Sequence, residues 1–204
     1  WGLDRRIALV VMSFVGTTPK RMVFGLMLTT AFLSAFMSNT ATAAMMVPVA
    51  MALITLVHST KAAGDPDAVT HERNFSLCIL LALAYGASIG GMATLIGSPP
   101  NGIYMRFMEQ TYGQVVSIAS WMKVGVPVTL LLFIVSFFVL TGLMFRNMGG
   151  SVPGGKEWVR NELRSMGKLS TGEKAVGLCF LIAAVLWFSG AQLRGINIDG
   201  WQPF

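Results

Sequence analysis

Two clusters of small polar and conformationally special residues, Ser38-Asn39-Thr40 and Gly97-Ser98-Pro99-Pro100-Asn101, sit inside the two longest apolar stretches of this chain. Ser, Asn and Thr cap helix N-termini with their side-chain oxygens. A helix N-terminus also carries unpaired N–H groups and the positive end of a dipole, which suits an anion. Ser34 lies four residues before Ser38, so on a helix both share one face. With Asn39 and nearby carbonyls, Ser34 offers neutral oxygens to a small hard cation. In the second cluster Pro99 and Pro100 donate no backbone hydrogen bond and stop an approaching helix. They suit the first turn of a new helix, with Ser98 as its cap. Gly97 permits a turn or a close backbone approach. Gly91, Pro99, Pro100 and Asn101 mark the structural break itself.

The chemistry of these clusters is noncovalent binding. No Asp, Glu, Lys, Arg or His falls in the central parts of the apolar stretches. Intramembrane proton relays and intramembrane aspartyl or metal-dependent proteases need such groups. No catalytic residue and no enzymatic activity is therefore expected. A cation held by neutral oxygens fits better, and Na⁺ is the natural candidate. Each cluster has a plainer reading, because Ser, Thr and Gly also tighten helix packing and a Pro can merely kink a span. Two breaks in neighbouring segments favour binding, since discontinuous helices near the bilayer midplane build the sites of secondary transporters.

The elements that must position these residues are membrane helices. The chain is 54% hydrophobic and 12% charged, against about a quarter charged in soluble domains. That composition excludes a soluble enzyme and marks an all-α integral membrane protein, multi-pass in the cell membrane. Met22–Val57 holds 36 residues without a charge. One straight helix of that length would reach roughly 54 Å, against a bilayer core of about 30 Å. Three small polar residues in its middle are where it breaks. Asn74–Met105, 32 residues, is again too long. Val124–Phe145 and Ala175–Leu193 each suit one span.

Charge sets the topology. Twelve of the 15 basic residues lie before the first stretch, between the first and second, or between the third and fourth. The positive-inside rule makes all three regions cytoplasmic, which explains the net charge of +6 without nucleic acid. The first stretch then enters and leaves on one side. A re-entrant hairpin satisfies both its length and this charge pattern better than two spans of about 18 residues each. The expected organisation is an interfacial helix at 1–16, a re-entrant hairpin at 20–58 with its tip at 38–42, and a broken transmembrane helix at 74–110 with its break at 97–101. A transmembrane helix at 122–146, a cytoplasmic basic loop at 147–173 with a short amphipathic helix at Glu157–Met166, and a transmembrane helix at 174–193 follow. The external loop 194–204 reads as cut short. With Trp1 at the start, the chain reads as an internal fragment of a longer protein. Cys78 and Cys179 are expected to be buried reduced thiols, Met45, Met46 and Met51 core packing, and His58 and His71 solvated or interfacial.

At Ala31 to Pro48, and again at Ile89 to Asn101, the chain resembles the divalent anion/sodium symporter family of dicarboxylate, citrate and sulfate carriers. Arg5-Arg6-Ile7-Ala8-Leu9 and Gly172-Glu173-Lys174 add to the likeness, which runs over nearly the whole chain. The resemblance implies an inverted-repeat transporter, each repeat with a hairpin tipped by Ser-Asn-Thr, in a homodimer with a scaffold and a moving transport domain. This chain would cover the end of the first repeat and the first span of the second, with one Ser-Asn-Thr and half of the site. Carried over residue by residue, Asn39 and Thr40 would contact a substrate carboxylate, Ser38 would shape the tip, and Ser98 would lie beside the substrate. Ser34, Ser38, Asn39 and Gly97 would bind one Na⁺, the coupling ion. Asp4–Leu9 would be the interfacial helix between domains. The implied function is Na⁺-coupled symport of a small divalent anion, a C4-dicarboxylate first, by an elevator-like movement. The alternatives are a dicarboxylate exchanger, a sulfate carrier, a non-transporting membrane scaffold, or an unrelated channel.

Overall fold

The computed structural model describes residues 2–59, 67–150 and 152–193, and every regular element among them is a helix. Lys61 and the loop expected at 194–204 lie outside the described residues. Helix α1 spans Leu3–Val15, α2 Pro19–Ser34, α3 Asn39–Ser59, α4 Ala68–Gly90 and α5 Pro99–Tyr112. Helix α6, Ile118–Phe138, runs on into a π-helical turn at Val139–Met144. Two further helices, α7 at Gly155–Ser165 and α8 at Thr171–Leu193, complete the order. Among the described residues, three helical segments are long and apolar enough to cross a membrane: Asn39–Ser59, Ala68–Gly90 and Ile118–Met144.

Helix α2 is the centre of the fold. Eleven of its 16 residues are buried, and only the stripe that carries Leu28 and Phe32 stays exposed among its apolar side chains. Its Thr29 and Thr30 hydroxyls donate to Gly25 O and Leu26 O one turn back, which removes two polar groups from competition in the core. Helix α1 lies along α2 through Ala8, Leu9 and Met12, all buried. Helix α4 meets α2 backbone to backbone. A Cβ on Gly86 would stand 2.8 Å from Met27 O, and one on Gly90 would lie 2.6 Å from the Ala31 carbonyl carbon and closer still to its oxygen. Gly86 and Gly90 are four apart and so face α2 together, the small-residue pattern by which membrane helices close on one another.

Helix α6 buries only Thr129 and Phe133, with Phe133 and Phe137 edge-on to Phe24 of α2. Leu130, Leu131 and Ile134 stay more than half exposed, as expected of a surface that meets lipid. It begins at Ile118, four residues before the expected start, because the Ser117 hydroxyl accepts from Ser120 N at 3.1 Å and caps it.

Two expectations about packing are corrected. Cys78 is buried, but Cys179 is exposed on α8. Of the three methionines expected in the core, Met46 is fully buried while Met45 and Met51 are exposed. Successive residues on a helix point about 100° apart, and α3 buries a single stripe here.

Candidate ion and anion site

The two polar clusters come together. Helix α2 stops at Ser34, and the short link 35–38 turns the chain into α3. Ser38 is the cap: its Oγ accepts from Ala41 N at 3.3 Å, and its carbonyl accepts from Thr42 N and the Thr42 hydroxyl. The N–H groups of Asn39 and Thr40 precede any intrahelical acceptor. Ser38 and Thr40 are exposed, Asn39 is half-buried, and Ser34 is fully buried.

Helix α4 stops at Gly90, seven residues before the expected joint at Gly97, and α5 starts at Pro99. The link 91–98 is held by side chains that satisfy its freed backbone. Asn101 Nδ2 donates to Gly91 O at 2.9 Å and to Thr94 O at 2.8 Å. Trp121 Nε1, from α6, donates to Met92 O at 3.0 Å. The Thr94 hydroxyl accepts from Gly97 N at 3.2 Å and donates to Ala35 O. That last bond ties the second break to the first.

The breaks share a small oxygen-lined space at Gly91 and Gly97. A Cβ on Gly91 would overlap Asn39 Oδ1 and lie 3.1 Å from Gly97 O. A Cβ on Gly97 would lie 2.7 Å from Gly91 O and 2.8 Å from Ser34 O. The Ser34 hydroxyl stands 2.8 Å from Asn39 Oδ1 and 2.7 Å from Ala87 O. It has one hydrogen and two acceptors, so it can give up Asn39 Oδ1 and keep Ala87 O. Neutral carbonyl, amide and hydroxyl oxygens gathered around two glycines are the donor set of a hard cation. Ser34, Asn39 and Gly97, expected as cation ligands, are thus neighbours. Ser38 stands next to them as the cap of α3.

Ser98 precedes α5 in an extended conformation, and its hydroxyl makes no capping bond. Pro99 and Pro100 have no N–H, and Asn101 N is taken by Ser98 O at 3.1 Å. Helix α5 therefore presents its dipole and the Ser98 hydroxyl rather than a row of free amides. The free amides come from α3. Thr94, Trp121 and Ala87 were not singled out from the sequence. A Thr hydroxyl can bond nearby backbone in a turn, though weakly, and that was the one available signal.

A family model described as the sodium:sulfate symporter transmembrane region matches residues 1–200. The chain belongs to this family. Relatives agree with it. The sodium-dependent dicarboxylate transporter SdcS of Staphylococcus saprophyticus is 35% identical over 191 residues, which cover 93% of this chain and 36% of that protein. The protein of the same name from Staphylococcus aureus strain NCTC 8325 / PS 47 is 34% identical over 202 residues, 99% of this chain and 38% of its own length. The chain thus spans little more than a third of the curated relatives it matches. Membership places it among multi-pass membrane proteins of the cell membrane, in accord with its three span-length helices.

Proposed function

We propose that this chain supplies half of the binding site of a Na⁺-coupled carrier for a small divalent anion, with a C4-dicarboxylate as first choice. The observation that carries the reading is the meeting of Asn39 Oδ1 and Gly97 O at Gly91, and of Gly91 O and Ser34 O at Gly97, between the N-termini of α3 and α5. No ionisable side chain takes part. Ser34, Asn39 and Gly97, with Ser38 beside them, hold Na⁺. The free amides of Asn39 and Thr40, the hydroxyls of Thr40 and Ser98, and two helix dipoles hold a carboxylate.

Asn39 couples the two ligands. Its Oδ1 faces the Ser34 hydroxyl, which leaves its Nδ2 donors on the opposite edge of the amide. Na⁺ on the oxygen fixes the amide plane and so presents Nδ2 to the anion. The 16 residues of α2 reach about 24 Å, short of the roughly 30 Å core, which supports a hairpin that re-enters rather than crosses. In this reading the hairpin and the broken helix α4–α5 move together as an elevator against a scaffold, in a homodimer whose other repeat brings the second Ser-Asn-Thr.

The family description names sulfate while the relatives' names say dicarboxylate, so a sulfate carrier is the second reading. Uptake of succinate, citrate and sulfate by the full-length protein, with and without a Na⁺ gradient, separates them. In that protein Asn39→Ala is expected to abolish both Na⁺-dependent stabilisation and uptake. Uptake at the wild-type rate by that variant would sink the proposal.

A further inference from the structure

Outside the ion and anion site, α1 and α7 enclose a groove of about 340 Å³. Its floor is apolar, built from Met12 of α1 and from Val159 and Leu163 of α7. Its rim is basic. Lys156, Arg160 and Arg164 all line the groove, and their spacing of four puts them on one stripe of α7. All three are exposed, and none forms an ion pair among the described residues. Of the acids nearby, Glu162 is taken by Arg5, Asp4 lies in the first turn of α1, and Glu157 lines the adjoining depression with Arg21. The stripe therefore keeps a net positive charge.

The groove also sits beside the start of α2. Gly155, the first residue of α7, abuts Thr17 just before α2: a Cβ there would lie 3.0 Å from the Thr17 Cβ. Lys20 and Arg21 follow in the first turn of α2. Helix α1 carries further outward apolar surface at Val10 and Phe14, the latter 85% exposed.

We infer that this groove binds an anionic phospholipid, its phosphate against Lys156, Arg160 and Arg164 and the upper part of an acyl chain along Met12, Val159 and Leu163. Charge complementarity selects an anionic headgroup. The apolar floor selects a lipid over a soluble phosphate, because a free anion gains nothing from it. Basic helices at a membrane face gain from anionic lipid by about fivefold per Lys or Arg. The inference requires only that α1 and α7 lie at the membrane surface, and it stands or falls apart from the transport reading.

The test uses the full-length protein in vesicles of phosphatidylcholine doped with phosphatidylglycerol, extracted gently, with the retained lipids measured by mass spectrometry. Phosphatidylglycerol should be enriched over its bulk share. The triple variant Lys156→Gln, Arg160→Gln, Arg164→Gln should lose that enrichment, by about fivefold per charge at low salt. The exchange Lys156→Arg, Arg160→Lys, Arg164→Lys should keep it. Ser13→Trp, which fills the groove without a change of charge, should lower it. Equal enrichment in the wild type and the Gln variant would overturn the inference. So would displacement of phosphatidylglycerol by inorganic phosphate at equal concentration.

Discussion

At the residue scale the site depends on groups that hold other groups in place. Thr94 is the clearest case. Its hydroxyl accepts from Gly97 N and donates to Ala35 O, so one buried side chain fixes both breaks. Thr94→Val keeps the shape and removes both bonds. A buried group left unpaired costs about 1–3 kcal/mol. The full-length variant should therefore melt at a lower temperature, and it should need more Na⁺ for half-maximal stabilisation, since Gly97 O is a proposed ligand. Thr94→Ser should restore both. A Val variant with a lower melting point and an unchanged Na⁺ requirement would leave Thr94 as a packing residue only. Ser34, Asn39, Gly97 and Ser98 were readable because small polar and glycine residues are conspicuous in an apolar stretch. Thr94 was not, because its neighbours Met92, Ala93, Leu95 and Ile96 read as ordinary helix, and its partner Ala35 is 59 residues away.

At the element scale the first break was legible from length alone, since no single membrane helix needs 36 apolar residues. The second was legible at one end. Pro99 and Pro100 fix where α5 begins, because a pair of residues without N–H groups is best placed in a first turn, where those groups have no intrahelical partner. The other end was not legible. Met92-Ala93-Thr94-Leu95-Ile96 could continue a helix, and what ends α4 at Gly90 is tertiary. Asn101 and Trp121 take up the carbonyls of Gly91, Thr94 and Met92, so the backbone can leave the helix without unpaired groups. The α2–α4 contact is similarly hidden in sequence, since glycines have several uses. It yields a graded prediction. Gly90→Ala drives a methyl into the Ala31 backbone, Gly86→Ala meets Met27 O at 2.8 Å, and Gly102→Ala meets nothing within 4 Å. Overpacking costs about 1–3 kcal/mol, offset by up to about 1 kcal/mol of helix preference for Ala over Gly. Thermal unfolding of the full-length variants should rank Gly90→Ala as the most damaging, Gly86→Ala next, and Gly102→Ala as neutral or stabilising. A Gly90→Ala variant as stable as the wild type would mean that α2 and α4 do not touch backbone to backbone.

At the scale of the whole molecule, two ion pairs tie α1 to the far end of the chain: Arg5 meets Glu162 of α7, and Arg6 meets Glu173 of α8. Arg6 of α1 donates from Nε to Glu173 Oε1 at 2.7 Å and from Nη2 to Oε2 at 3.2 Å. Its remaining donors reach Gly167 O and Met166 O, both at 3.0 Å. Ser170 N also donates to Glu173 Oε2, and Glu173 N donates to Ser170 Oγ, a capping box at the start of α8. One guanidinium thus pins α1 to the end of α7 and the beginning of α8. The Arg6 hydrogen bond first, and the Ser170 backbone bond second, hold the Glu173 carboxyl down from its ordinary 4.5 to about 2. A depressed carboxylate stabilises the folded state fully above its unfolded value and loses that contribution as pH falls through the folded one. The pair should therefore contribute unchanged at neutral pH, fade below about pH 4.5, and vanish near pH 2. Glu173→Gln removes the charge and leaves Arg6, 14% exposed, without a counter-ion. Its melting point should fall below the wild type's at pH 7, and the gap between the two should narrow as pH drops below about 4.5. A gap that stays constant from neutral pH down to acid would show that Glu173 acts through packing alone. A gap that closes as described would make the Arg6–Glu173 pair the acid-sensitive joint between α1 and α8.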